Sequence, residues 1–396
     1  MRFSILDPGL KTVEGHHFDL DRRLVNALAR GGHELTVHGF ITPDPVLIAR
    51  AKATNLNFCA NFRACPYSRL SKSQSLAEAY REMAQITAQD LATVPETDAW
   101  IWPTMSPYQF AAAAQHPGSV RQIGGVWWLP RIPHAMGARS WSETVRKLAE
   151  KPRRIVVGAY DELLCQGYQG YAPGQDIVCL PCPHDGTTYE RNATNAPSMR
   201  RIGFFGHQRA QRGKDLIPEL VDALAVKGYE VVMQDSGCCQ KRARQKGRIP
   251  APGRAAFWSC LRGWRAEQKR EDMRVTNLNY VEDFPAEIAR CDLVIWPSQW
   301  EAYTQSLSGV VSECIATGVP IILPSGCLPA QIAARYGCGV LFHEYSSAAI
   351  LAAVDEAAGN FPGLSARSRA AATAWHSRNG TDLLAAWIER RLGDWT

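Results

Sequence analysis

No apolar run in this 396-residue chain approaches the ~20 residues that a helix needs to span a bilayer, which excludes a helical membrane span. An Asp-rich metal motif is missing too, and a second CxxC is absent: Cys179-Leu180-Pro181-Cys182 stands alone, while Cys238-Cys239 lack that spacing. Zinc held by Cys179, Cys182, Cys238 and Cys239 would need paired thiolates at tetrahedral spacing, so the twelve cysteines read better as reduced, buried and unreactive thiols. The first residues, Met1-Arg2-Phe3-Ser4-Ile5-Leu6-Asp7, are too short and too soon interrupted for a signal peptide and read as a first strand. A cytosolic protein is the expectation.

An excess of charge of either sign is lacking outside a single segment. The net charge is +6, yet residues 241–274 alone hold eleven Lys and Arg against three acids, which leaves the rest of the chain near neutral. That segment is either a solvated loop-helix insertion or a patch for an anionic acceptor or an anionic membrane surface. With Trp258 and Trp264 among its arginines it also keeps open a nucleic-acid-binding reading, although no specific nucleic-acid partner is expected.

What is present is an ordinary globular composition, 46% hydrophobic and 21% charged, in a chain long enough for two cores. Phe3 to Leu6 is a short apolar run, Asp7 to Gly15 a loop, and Phe18, Leu20, Leu24, Val25 and Leu28 recur at helical spacing. Gly31-Gly32 ends that helix, and Glu34 to His38 alternates as the next strand, a βαβ unit that calls for a parallel sheet. Strands are expected again at 98–102, 119–123 and 154–157, with a helix from Ser71 to Leu91.

The polar stretch 186–198 reads as a linker, after which the pattern restarts. Strands follow at 201–205, 230–233, 275–278, 293–296 and 321–323, with helices from Leu216 and over Pro285 to Arg290. The expected organisation is an α/β chain of two Rossmann-like domains facing a central cleft: residues 1–185, then 199–374 carrying the basic insertion. The last segment, 375–396 with Trp375, Trp387 and Trp395, is expected to be helical and to return to the first domain. Open parallel sheets bind ligands beyond the carboxyl ends of their strands, so the loops there are where chemistry is sought.

One such loop is "PSQWEAYTQSLSGVVSECIATGVPIILP", residues 297–324. Ser308 is read as the cap of a helix whose first turn holds Gly309, so that unsatisfied amides offer an anion site that glycine lets a phosphate approach. Glu313 lies four residues on, hence on the same face, and a carboxylate there can accept from both hydroxyls of a ribose. The alternative for Glu313 is an ordinary solvent-exposed glutamate on an amphipathic helix. A second loop weighs against it: Gly206 to Asp215 leaves another strand of the same half with Arg209, Arg212 and Lys214, cations that can reach a diphosphate.

The residues just described carry a resemblance. "GFFGHQRAQRGKDLIPELVDAL", "CDLVIWPS" and "ECIATGVPIILP" resemble the nucleotide-binding half of retaining glycosyltransferases of the GT-B fold, in the large family-four group. "GLKTVEGHHFDLDRRLVNALARGGHELTVHG" is similar to that family's opening glycine loop, helix and strand. In the family pattern an arginine falls on His207 and a lysine on Arg212, so Arg209 or Lys214 stands in for the arginine. The family's two glutamates are separated by seven residues. Counted back from Glu313, that spacing meets Gln305, whereas Glu301 has eleven residues between it and Glu313, and either residue is left as the sugar contact. Tyr303, Ser308, Gly309 and Glu313 look like a subgroup with a GHHxxD-like start, here Gly15-His16-His17-Phe18-Asp19.

The resemblance implies a nucleotide-diphosphate sugar as donor and a glycan, lipid-linked or small-molecule acceptor, with retention, no metal and no other cofactor. It gives Arg212 the leaving diphosphate and sets Gly15, with His16 at the same helix end, beside the transferred sugar or its phosphate. The family's histidine after a middle strand of this half passes to His134, while Trp127 and Trp128 either stack on an acceptor or fill core. A capped turn with exposed histidines is the structural alternative at residues 15–19. Rival activities on the same fold are a sugar-nucleotide epimerase, which needs acid and base groups around the sugar, and a phosphorylase, which commonly needs a pyridoxal lysine. A glycosidase needs two opposed carboxylates, and Glu301 with Glu313 does not provide that placement.

Overall fold

The computed structural model describes residues 1–13, 15–65, 76–126, 155–171, 177–184, 198–206, 209–234, 275–278, 281 and 283–394. The linker 186–198 save Ser198, the basic segment 241–274, Trp127, Trp128, His134, Cys238 and Cys239 all lie outside them. Two compact units result, one of residues 1–184 with 378–396 and one of residues 185–377.

The first unit is built on seven parallel strands: β1 (Arg2–Leu6), β2 (Glu34–Phe40), β3 (Phe58–Phe62), β4 (Ala99–Trp102), β5 (Arg121–Val126), β6 (Ile155–Ala159) and β7 (Val178–Cys179). Their order is β3-β2-β1-β4-β5-β6-β7, so the chain starts near the middle and winds outward in both directions. Central strands of such a sheet are covered on both faces, which is why β1 and β4 read as continuous apolar runs rather than alternating ones. The fifth strand begins later than the sequence pattern indicates, because Arg121 is the residue that pairs with Ala99 at the start of β4.

Around the sheet lie α1 (His17–Arg30), α2 (Pro45–Ala53), α3 (Leu76–Leu91), α4 (Pro107–Gln115) and α5 (Glu162–Tyr171). Residues 71–75, expected as the start of α3, lie outside the described residues. In α1 the side chains of Phe18, Leu20, Leu24 and Leu28 are buried, and Gly32 at φ +79° turns the chain out of the helix where a side chain would be strained.

The second unit repeats the plan with β8 (Arg201–Phe204), β9 (Glu230–Gln234), β10 (Val275–Leu278), β11 (Leu293–Ile295), β12 (Ile321–Pro324) and β13 (Gly339–Phe342). All are parallel in the order β10-β9-β8-β11-β12-β13, which puts β8 and β11 side by side at the middle. The helices are α6 (Ile217–Val226), α7 (Phe284–Ala289), α8 (Gly309–Thr317), α9 (Leu328–Tyr336), α10 (Ser347–Gly359) and α11 (Phe361–His376). Ile202, Phe204, Leu220, Leu224, Val231, Met233, Leu293, Ile295 and Ile350 fill one core between the sheet and its helices. Trp375 belongs to α11, and the next residue, His376, ties that helix to α8 through Nε2 and the carbonyl of Ala316 at 2.8 Å.

Past α11 the chain rejoins the first unit and ends in α12 (Thr381–Gly393). This helix lies against α1, with Leu384, Ile388 and Leu392 buried, Arg30 paired with Asp382, and His33 Nε2 3.1 Å from Glu389. Arg121 adds a bond from Nη1 to the carbonyl of Leu392 at 3.2 Å. Because Ile388 is only 1% exposed, Ile388→Ala is expected to cost the first unit about 2–5 kcal/mol in urea unfolding.

Candidate functional site

Neighbouring strands β8 and β11 deliver two loops to the same end of the second sheet. Out of β8 the chain passes Phe205 to Gly206, whose φ of +92° only glycine adopts easily and whose amide donates to Gln234 Oε1 at 2.8 Å. His207 and Gln208 lie outside the described residues. A short 3-10 turn, Ala210–Arg212, then closes on Gly213 at φ +76°. A Cβ added at Gly213 would overlap the carbonyl oxygen and ring of Pro297, so this loop is packed directly on the loop that leaves β11. The amide of Gln299 bonds the carbonyl of Gln211 at 3.0 Å, and Tyr345 donates to Asp215 Oδ1 at 2.8 Å, fixing the loop from both sides. Burial, then the bond to Asp215, raises the Tyr345 hydroxyl and keeps it neutral as that donor.

The side chains converge on Gly206. Arg212 Nη1 stands 3.3 Å from where a Gly206 Cβ would be, and Val310 Cγ2, in the first turn of α8, stands 3.2 Å from the same point. The Arg212 guanidinium lies over the ring of Tyr303, 5.7 Å from its centroid, and Tyr303 in turn meets Trp296 edge-on at 4.5 Å. Among the described residues neither Arg209 nor Arg212 is paired with a carboxylate. Arg209 is exposed, and Arg212 and Lys214 are half-buried. A cation on an aromatic face, a glycine without a side chain and the start of a helix therefore share one spot.

Helix α8 departs from the expectation at its cap and meets it in its burial. Ser308 does sit at its N-cap with extended backbone, but the hydroxyl makes no capping bond, so its own side chain does not satisfy the first-turn amides. Every residue from Val310 to Ala316 is buried, including Val311 and Ile315, so the helix has no solvent face. Glu313 is 3% exposed on that helix, which rules out the ordinary exposed glutamate. Burying a carboxylate on a wholly buried helix is costly unless it serves as an acceptor there.

The two residues offered as the sugar contact lie between β11 and α8. Glu301 is exposed on a short 3-10 turn, Trp300–Tyr303, and Gln305 is half-buried in the turn that follows. Sequence reasoning missed two more groups at the end of β11. Trp296 Nε1 and Ser298 Oγ are buried and have no hydrogen-bond partner among the described residues. Both stand in the "WPS" end of the strand, and a tryptophan and a serine in a strand-ending run were the only signal available.

In the first unit, Gly15 has φ +95° and open space where a Cβ would be. His16 is exposed at the N-cap of α1 and stacks on His17, ring centroids 4.3 Å apart. Asp19 pairs with Arg22 at 3.5 Å, whereas His17 turns inward and binds Asp7. Cys179 is exposed and Cys182 buried, and among the described residues no group of three His, Cys, Asp or Glu can hold a metal. Nor is any described helix long and apolar enough to cross a membrane.

Residues 265–373 match the family model described as Glycosyl transferases group 1. Solved structures align over the entire chain: a glycosyltransferase from Rickettsia africae at 12% identity, covering 100% of this chain and 98% of that one with a TM-score of 0.65. A sucrose-phosphate synthase from Thermosynechococcus elongatus aligns over 100% of both chains, 12% identical with a TM-score of 0.63. HepE of Anabaena, crystallised with UDP, does the same at 13% and 0.61. No curated protein matches the sequence. Two parallel α/β sheets of this kind define the GT-B fold. The chain therefore has the GT-B fold, and the segment similar to Glycosyl transferases group 1 spans β10 to most of α11.

Proposed function

We propose that the chain transfers a sugar from a nucleoside-diphosphate donor to a glycan, lipid-linked or small-molecule acceptor, with retention and without a metal ion. The observation that carries this reading is the meeting of Arg212, Gly206 and the uncapped start of α8 at one place. When the glycosidic bond to the donor phosphate breaks, negative charge grows on the departing diphosphate, and fixed cations and amides aimed there lower the barrier. Arg212 and Lys214 supply the charge, Ser308-Gly309 and the following amides the dipoles, and Glu313 the acceptor for the ribose hydroxyls. Such a set can neutralise a diphosphate by itself, so transfer is expected to persist in EDTA.

Retention is taken from the family-four resemblance and is read by the anomeric configuration of the product. Gly15 and His16 are assigned to the transferred sugar, and Glu301 or Gln305 to its hydroxyls. UDP-glucose, with which HepE has been crystallised, is the first donor to assay. The basic segment 241–274 is assigned to an anionic acceptor or to the inner face of the membrane, with the protein itself on the cytoplasmic side.

The test is turnover of a panel of nucleotide sugars with and without acceptors, products read by mass spectrometry. Consumption that requires an acceptor supports transfer; consumption that requires only phosphate, or interconversion of the free sugar nucleotide, replaces it with phosphorolysis or epimerisation. Glu313→Ala is expected to weaken UDP binding by about 1.5–3 kcal/mol through loss of charge-assisted bonds, measured by calorimetry.

A further inference from the structure

Two carboxyl groups, Asp7 just past β1 and Asp21 in α1, are both fully buried. Asp7 Oδ1 accepts from the amide of Gly9 at 2.9 Å, and Oδ2 lies 2.6 Å from His17 Nδ1. Asp21 stands four residues beyond His17 on the same face of α1, yet neither of its oxygens accepts from any donor among the described residues. What it faces is the other acid. Burial first, the Asp7 charge second and a hydrogen bond with Asp7 third raise Asp21 well above the usual carboxylate range.

The surrounding groups do not offset this. Tyr160, beyond β6, donates to the carbonyl of Pro103 at 2.8 Å and is kept neutral by burial, Cys182 and the two acids. Cys182 is buried beyond β7, and His38 on β2, lowered by burial, is turned to Asn61 at 2.6 Å. The histidine that reaches the pair is His17, through Nδ1 on Asp7 Oδ2. Its ring is boxed in from the other side, because a Cβ at Gly9 would overlap Cε1.

We infer that Asp7 and Asp21 share a single proton and act as positioning residues, their one remaining negative charge fixing the His17 ring and, through the stack, His16 at the start of α1. The protonated Asp21 donates to Asp7, which also accepts from the Gly9 amide, from Thr104 Oγ1 at 3.5 Å and from His17. The consequence for catalysis rests on the transfer reading above, in which His16 lies beside the donor sugar.

Three variants of the full chain test this by the His17 Nδ1 proton resonance, thermal melting between about pH 5 and about pH 9, and donor kinetics. Asp21→Asn keeps the donor to Asp7. It should retain the resonance and transfer within about twofold, since nothing that touches the substrate is lost. Because Asp21 is raised on folding, its stabilising contribution is full below the unfolded carboxylate range and declines as pH rises toward the folded value. Asparagine has no such decline, so the melting advantage of Asp21→Asn should grow with pH. Asp7→Asn should lose the resonance and lower kcat on the order of tenfold to a hundredfold, with KM for the donor nearly unchanged. Should Asp7→Asn not fold, Gly9→Ala displaces the ring with both acids intact and should lose resonance and kcat alike.

The inference is overturned if Asp21→Asn melts below the wild type at every pH, as a broken ion pair would. It is equally overturned if Asp7→Asn or Gly9→Ala keeps both the resonance and wild-type kcat. A wild-type chain without transfer toward any donor would fault the function reading instead, and the resonance and melting profile would still decide the acid pair.

Discussion

Arg212→Ala is expected to lower kcat/KM about a hundredfold to a thousandfold, or about 2.7–4 kcal/mol of transition-state stabilisation. The guanidinium is held over Tyr303 beside Gly206 and the first turn of α8, and among the described residues no carboxylate neutralises it. A lysine lacks the planar fork that lies over Tyr303, so Arg212→Lys should recover only part of the loss. Since Arg212 is half-buried and belongs to no core cluster, unfolding of the variant should match the wild type. A drop in activity without a drop in melting temperature is the combination to look for.

Gly213→Ala should destabilise the second unit by about 2–4 kcal/mol in denaturant unfolding. Two costs coincide there: a φ of +76°, and a Cβ that overlaps the backbone carbonyl of Pro297, which has no rotamer in which to retreat. Gly228→Ala separates them, because Gly228 has φ +87° but open space around its Cβ position. That control should lose only about 1 kcal/mol, the left-handed backbone strain alone. The difference measures how firmly the β8 loop is seated on the β11 loop. As Arg212 immediately precedes Gly213, nucleotide binding should fall together with stability.

Much of the fold was legible in the residues alone. The 3.6-residue recurrence of Phe18, Leu24 and Leu28, the Gly31-Gly32 stop and the apolar runs at 293–295 and 321–323 each answer to one physical rule, and the elements form there. Boundaries move where pairing rather than propensity decides, as at Arg121 against Ala99. In the candidate site, the meeting of Gly206, Arg212 and the opening of α8 was legible because both loops follow neighbouring strands of one sheet.

Burial was legible in the residues only in outline. Whether Glu313 faces solvent depends on α7, α9 and α11 packing around α8, and no local pattern encodes that. The same holds for Asp21, which reads as one more acid in a charged helix yet is fully buried against Asp7. Ser308 shows the converse limit: its residue type marks the cap position correctly, while its hydroxyl makes no capping bond.

The central claim is that the second unit holds a diphosphate between Arg212 and the start of α8. Calorimetric titration of UDP, GDP and their parent nucleosides into the wild type and Arg212→Ala tests it most directly. One nucleoside diphosphate should bind while its nucleoside does not, and Arg212→Ala should lose about 1.5–3 kcal/mol of that binding. Equal affinity for nucleoside and diphosphate, or unchanged diphosphate affinity in Arg212→Ala, would contradict it.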